Sequence, residues 1–263
     1  MKLDDIKKLQ QKKYRAEFGH FLVEGEHLVL ELQKAAQHNP LLQRSQLYVT
    51  EAHEQWQSPF KTQVISERQM AQISDTKTPQ GIIAVVPMLE SAALVAAGER
   101  AIYLHEVQDP GNLGTILRTL AWFGGLRCLL SPGSVDPYNP KVVRGSMGAI
   151  LRLPVWAENW EVIHRLTTGL DVWLAAARDG VGYTAVDWQR PAALLVGSEA
   201  QGAGAQAERL ATGRVTIPMH DATESLNAAM AAGLLVFEAA RQRGEEKSSR
   251  KGAKEEKSAK SKH

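Results

Sequence analysis

From residue 101 onward, short apolar runs alternate with helical patterns, and this alternation restricts the possible folds more than any other feature of the chain. The runs are IYLHEV (102–107), RCLLS (127–131), LPVWA (153–157), DVWLAAA (171–177), ALLVG (193–197) and VTIPM (215–219). Helical patterns near 112–123, 139–148, 159–168 and 225–243 separate most of them. Parallel strands need a long crossover, usually a helix, so the pattern predicts an α/β domain with a largely parallel sheet and helices on both faces. Ligands of such sheets sit beyond the carboxyl ends of the strands, which makes the residues just after each run the candidates for chemistry.

The first 88 residues read as a separate small α/β domain. A basic helical start leads into FLVE (21–24), and a helix follows Gly25 with Leu28, Leu32 and Ala35 on one face. QLYVT (46–50) and TQVIS (62–66) come next, Ser66 and Gln69 have the spacing of a capping box, and GIIAVV (81–86) ends at Pro87. The alanine-rich stretch 89–100 lacks a β pattern and reads as a linker. The expected organisation is thus a small α/β domain at 1–88, a linker at 89–100, a second domain at 101–243 and a disordered basic tail at 244–263, where no large apolar residue remains to be buried.

Composition narrows the function classes. No run approaches the ~20 apolar residues of a membrane helix, and the start MKLDDIKKLQQKKYR is too charged for a secretory signal, so a cytoplasmic protein is expected. The single cysteine, Cys128, lies in an apolar run and reads as a buried thiol, with neither zinc nor redox chemistry suggested. The net charge of +2 is unevenly placed: the tail 244–263 carries seven Lys or Arg against four Glu, and the rest of the chain 24 basic against 25 acidic residues. Six cations (Lys2, Lys7, Lys8, Lys12, Lys13, Arg15) gather in the first 15 residues. Such patches suit a phosphate backbone, and they suit equally a solvated helix face and a solubilising tail.

Three glycine-bearing segments follow predicted strands. In VQDPGNLGTILRTLAWFGG (107–125), Asp109-Pro110-Gly111 makes a turn, Gly114 permits close helix packing or ligand approach, and Asn112 and Arg118 are polar groups on an apolar helix. In LLVGSEAQGAG (194–204), glycines flank Glu199, which suits a ligand held by main-chain groups or a plain flexible loop. In VTIPMHDATESLNAAMAAG (215–233), Pro218 ends a strand and Glu224, Ser225 and Asn227 crowd a helix start, where Ser225 or Thr223 could serve as the cap.

Taken together and in order, these segments resemble the three motifs of the SPOUT superfamily, in its SpoU/TrmH branch of RNA 2′-O-ribose methyltransferases. DPYNPKVVRGSMGAILRLP (136–154) resembles the connecting segment of that branch, and KKYRAEFGHFLVEGEHLVLE (12–31) its N-terminal substrate-binding domain. The resemblance implies a deep trefoil knot in the second domain and S-adenosyl-L-methionine as cofactor, held by main chain at Gly197, Ile217 and Leu226, beside Pro218, with Glu199 and Gly202 shaping the loop. It implies a catalytic set of Arg118, Asn112, Glu199, Ser225 and Asn227, no metal, and RNA contact at Arg118, Arg144, Lys12, Lys13 and Arg15. It also implies a homodimer through the knot and the last helix, whose stripe Leu226, Met230, Gly233, Phe237 and Ala240 reads otherwise as core. Ribosomal RNA is the favoured substrate. A transfer RNA ribose methyltransferase, methylation of a base nitrogen, and a non-catalytic RNA-binding or ribosome assembly factor are the alternatives.

Overall fold

A computed structural model describes residues 1–89, 100–197, 204–219 and 225–244. In chain order the elements are α1 (Leu3–Lys8), α2 (Lys12–Phe18), β1 (His20–Glu24), α3 (Glu26–Ala36), β2 (Gln46–Val49), β3 (Lys61–Val64), α4 (Glu67–Ile73) and β4 (Ile82–Pro87). There follow β5 (Arg100–Leu104), α5 (Pro110–Phe123), β6 (Leu126–Leu130), α6 (Pro140–Gly145), β7 (Val155–Ala157), α7 (Trp160–Thr167) and β8 (Asp171–Ala175). Last come β9 (Val181–Gly182), β10 (Ala192–Val196), α8 (Gly204–Leu210), β11 (Gly213–Thr216) and α9 (Ala228–Gln242).

The chain packs as two compact units. One comprises residues 1–92, 109–118 and 135–155; the other comprises the rest. Residues 109–118 and 135–155 thus pack with the N-terminal residues. Arg15 is paired with Asp136, the ring of Phe21 lies 4.6 Å from that of Tyr138, and a Cβ on Gly148 would strike the Glu31 side chain.

The first unit holds a four-stranded sheet in the order β1-β4-β2-β3. β4 runs antiparallel to β1 and β2, and β3 parallel to β2. Its core is built from Ile6, Leu9, Leu22, Tyr48, Met70, Ile73 and Ile83, each contributing about 1.5–3 kcal/mol on burial. The basic start is two helices rather than one. The break falls at Leu9–Gln11, and α2 ends on Gly19 at φ +65°, a left-handed cap that glycine adopts without a Cβ penalty. The capping box forms as expected: the Ser66 hydroxyl accepts from the Gln69 N–H, and the Gln69 side chain accepts from the Ser66 N–H.

In the second unit seven strands lie in the order β7-β6-β5-β10-β8-β11-β9. The pairs β6/β5, β5/β10, β10/β8, β8/β11 and β11/β9 are all parallel, as the alternation predicts. Tyr103, Leu129, Trp156, Ile163, Val172, Leu174 and Leu195 form the core on one side of the sheet. Four of the six strands begin one or two residues earlier than their apolar runs suggest, and all but β7 end before the run does. Two short elements, β9 and α8, have no counterpart in the sequence pattern because neither carries a run of apolar residues. Cys128 is fully buried as expected, and burial pushes its thiol well above the usual range.

Candidate active site

β5 and β10 are neighbours in the sheet, yet the chain leaves them in opposite directions, to β6 on one side and towards β11 on the other. In parallel sheets such a divergence marks the place, beyond the carboxyl ends of the strands, where ligands bind. Leu104 is in register with Val196, and the His105 N–H donates to the Val196 carbonyl at 2.8 Å, so Gly197 emerges beside His105. Gly197 is half-buried, as is Ile217 just past β11, while Pro218 is exposed. Glu199 and Gly202, and the loop from His220 to Glu224, lie outside the described residues.

Ser225, Leu226 and Asn227 are exposed at the entry to α9. The expected cap at Ser225 or Thr223 gives way to Asn227, whose side-chain oxygen accepts from the N–H groups of Ala229 and Met230 at 2.9 and 3.2 Å. The helix consequently starts at 228 instead of 225, because an N-cap residue accepts from the N–H groups two and three residues ahead.

Asn112 and Arg118 belong to the other unit, on the first part of α5. Asp109 caps this helix by accepting the Asn112 N–H at 2.7 Å. Leu113, Ile116 and Leu117 are buried, leaving Asn112 half-buried and Thr115 and Arg118 exposed on the polar side. A Cβ on Gly114 would lie 2.9 Å from the main chain of Gly145. Of the two roles open to Gly114, the structure assigns close packing of α5 on α6. Arg144, in the last turn of α6, is partly exposed and pairs with Asp75 at 3.0 Å.

Lys12 and Lys13 are exposed on α2, but Arg15 corrects the expectation of an RNA-contacting cation. It is 2% exposed. Its Nε and Nη2 donate to the Asp136 carboxylate at 2.8 and 2.5 Å, and Nη1 donates to the Leu9 carbonyl at 2.8 Å. Every nitrogen of the fork is engaged inside the unit, so none reaches solvent to meet a phosphate.

Sequence reasoning missed a polar cluster at the end of β5. His105 is buried beside Ser131 and Trp160, and burial lowers its affinity for a proton, with Glu106 opposing that shift. Glu106 holds φ at +51°, a region that non-glycine residues rarely occupy. The available signal was the polar pair His105-Glu106 inside an otherwise apolar run.

The stripe on α9 divides. Ala240 faces inward, whereas Leu226 at its entry, Met230 and Phe237 are 41%, 57% and 43% exposed, the ring of Phe237 lying 6.0 Å from that of Phe123; Trp122 on α5 is 78% exposed.

Residues 99–237 match the SpoU rRNA Methylase family, and residues 2–84 match the MRM3-like substrate binding domain. The chain is 32% identical over 240 residues to the 23S rRNA (guanosine(2553)-2′-O)-methyltransferase RlmP of Bacillus subtilis, covering 90% of this chain and 94% of that protein. It is 27% identical to the mitochondrial rRNA methyltransferase 3 of Homo sapiens, covering 89% and 70%. Among solved structures, a TrmH-family protein from Porphyromonas gingivalis superposes with a TM-score of 0.79 at 31% identity, covering 91% and 97%. An AdoMet-bound rRNA methyltransferase from Sinorhizobium meliloti superposes with a TM-score of 0.78 at 27% identity, covering 91% and 94%.

Proposed function

The chain belongs to the SpoU rRNA methylase family, and on that premise we propose that it transfers a methyl group from S-adenosyl-L-methionine to a ribose 2′-hydroxyl of ribosomal RNA. The observation that carries this reading is the coexistence, in one chain, of the methylase match over 99–237 and the substrate-binding match over 2–84. Ribosomal RNA is favoured over transfer RNA because two relatives aligned over about nine-tenths of this chain are named rRNA methyltransferases.

The residues fit the cofactor. Gly197, on the carboxyl edge of β10, offers a half-buried main chain with no side chain in the way, and Ile217 offers another at the end of β11. Leu226 completes the main-chain contacts, Pro218 stiffens the approach, and Glu199 and Gly202 shape the intervening loop. The trefoil knot belongs to the same reading. The cofactor supplies a methyl group on a positively charged sulfur.

The protein must align the attacking oxygen and assist loss of its proton; holding reacting atoms at about 3–3.5 Å is worth several kcal/mol of the barrier. Arg118 is always charged and therefore a poor base, but its planar fork suits a phosphate, so it holds the target nucleotide and stabilises the developing negative charge on the 2′-oxygen. Asn112 orients the ribose or Arg118, and Ser225 and Asn227 line the wall facing the cofactor. Lys12, Lys13 and Arg144 contribute RNA contacts, Arg144 only by exchanging Asp75 for a phosphate.

The reading includes a homodimer through the knot region and α9, supported by the exposure of the large apolar side chains Leu226, Met230 and Phe237 on that helix and its entry. No helix among the described residues is long and apolar enough to cross a membrane, and the proposed compartment is the cytoplasm. The test is transfer of labelled methyl from S-adenosyl-L-methionine to ribosomal RNA from cells lacking the protein. One linkage should become resistant to alkaline cleavage; label on a base, or no label, would overturn the reading.

A further inference from the structure

The first unit carries a groove that the chemistry above does not use. It lies between the end of α3, the single helical turn at Leu42–Arg44 and the segment leading into β3, and its volume of about 550 Å³ is within the range of small-ligand sites. Four glutamines line it, Gln33, Gln37, Gln43 and Gln57, together with Ser58 and Pro59. Leu32, Ala35 and Ala36 are buried, so Gln33 and Gln37, four residues apart, stand together on the exposed side of the helix end.

Two of the four glutamines are pinned. Gln33 Nε2 donates to the Gln57 carbonyl at 2.8 Å, and Gln43 Nε2 donates to the carbonyl of Ala36, in the last turn of α3, at 3.1 Å. A carbonyl accepts only from the nitrogen end of a carboxamide, so both Oε1 atoms are left as acceptors. Gln37 and Gln57 are exposed, and among the described residues no hydrogen bond engages their carboxamides; each presents a donor and an acceptor side by side. Ser58 Oγ accepts the Phe60 N–H at 3.0 Å and keeps its own hydrogen to donate. None of the side chains lining the groove is charged, and Pro59 adds an apolar wall.

That inventory decides what fits. Sequence in RNA is read chiefly where unpaired bases splay out and show their edges. A glutamine carboxamide matches the adjacent N6 amino group and N7 of adenine, whereas guanine is met by Arg or Lys and the cytosine amino group by Asp or Glu, none of which lines the groove. Arg44, beside Gln43, and Lys61, two residues past Pro59, are exposed cations available to the flanking phosphates. We infer that this groove receives one unpaired adenine of the RNA substrate, with Gln37 or Gln57 on its N6/N7 edge and the pinned oxygens of Gln33 and Gln43 as further acceptors for its amino group. The inference rests on the functional reading above and adds to it a site that selects RNA without taking part in methyl transfer.

The experiment is fluorescence anisotropy of the full chain with labelled single-stranded oligo(A), oligo(C) and oligo(U) of equal length, in the absence of methyl donor. Oligo(A) should bind roughly tenfold more tightly than the other two. Gln37→Leu with Gln57→Leu, at exposed positions whose side chains hold nothing in the fold, should bring oligo(A) to the level of the others. Oligo(C) affinity should stay within about twofold and its salt dependence unaltered, because no charge is lost. In methyl-transfer assays the same pair should raise KM for free ribosomal RNA roughly tenfold with kcat unchanged. Equal affinity of the unaltered chain for the three oligonucleotides, an adenine preference that survives the double substitution, or an unchanged KM would overturn the inference. A KM effect confined to protein-containing ribosomal particles would overturn it too, by assigning the groove to a protein. Failure of the unaltered chain to bind any RNA would overturn the functional reading and this inference with it, whereas adenine-selective binding without methyl transfer would overturn the functional reading alone.

Discussion

Replacing Arg15 with alanine separates an internal cation from one that meets RNA. The substitution leaves the Asp136 carboxylate, whose side chain is 12% exposed, without its two charge-assisted bonds, and deprives the buried Leu9 carbonyl of a donor. Removing one partner of a buried pair strands the other charge away from water, at a cost of about 3–5 kcal/mol. With a urea dependence of about 1–3 kcal/mol per molar, the unfolding midpoint of the unit containing Arg15 should fall by roughly 1 M or more. Urea titration followed by circular dichroism measures this directly. Exchanging both partners, Arg15→Met with Asp136→Leu, should recover much of the loss, because the stranded charge is gone. The reasoning is refuted if Arg15→Ala leaves the midpoint in place while lowering RNA affinity and its salt dependence, the signature of a phosphate contact.

Burial raises the proton affinity of Glu31, but hydrogen bonds from Lys34 and Arg152 outweigh it and hold the carboxyl below its ordinary value. Its stabilising contribution should be complete above the unfolded glutamate pKa of about 4.3 and vanish as pH falls through the lower folded value; the difference in urea midpoint between the unaltered chain and Glu31→Gln should therefore shrink from pH 6 to pH 3, and a constant difference would contradict the assignment. Arg118→Lys keeps the charge but loses the planar fork, so single-turnover assays should show a drop of about tenfold or more with donor binding intact; near-normal turnover would remove the bidentate role. Placing aspartate at both Met230 and Phe237 should yield a monomer in sedimentation at micromolar concentration if the exposed α9 surface is an interface; an unchanged sedimentation coefficient would reject that. Deleting residues 244–263 should reduce the salt dependence of RNA binding and leave saturated turnover unaltered; an unchanged salt slope would exclude the tail from the RNA contact.

Periodicity is a local property, and what it dictates was readable before any coordinates. The strands and crossover helices from residue 101, the parallel sense of the sheet, and the capping box at Ser66 and Gln69 each follow from residues a few positions apart. The motif wording carried the family and its candidate residues in the same way. The destination of each side chain depended on partners distant in the chain. Arg15 and Lys13 look alike in sequence, and only the arrival of Asp136, 121 residues later, turned the arginine inward. Gly114 became a packing residue because Gly145 crosses it, and Asn227 rather than Ser225 caps α9 because its side-chain oxygen meets the Ala229 and Met230 N–H groups. His105 showed least of all. A histidine within an apolar run has no periodicity to reveal it; its burial and its neighbours Ser131 and Trp160 arise from separate segments meeting at one edge of a sheet. Local chemistry decided which elements form, and long-range packing decided which of their polar groups stay available to a substrate.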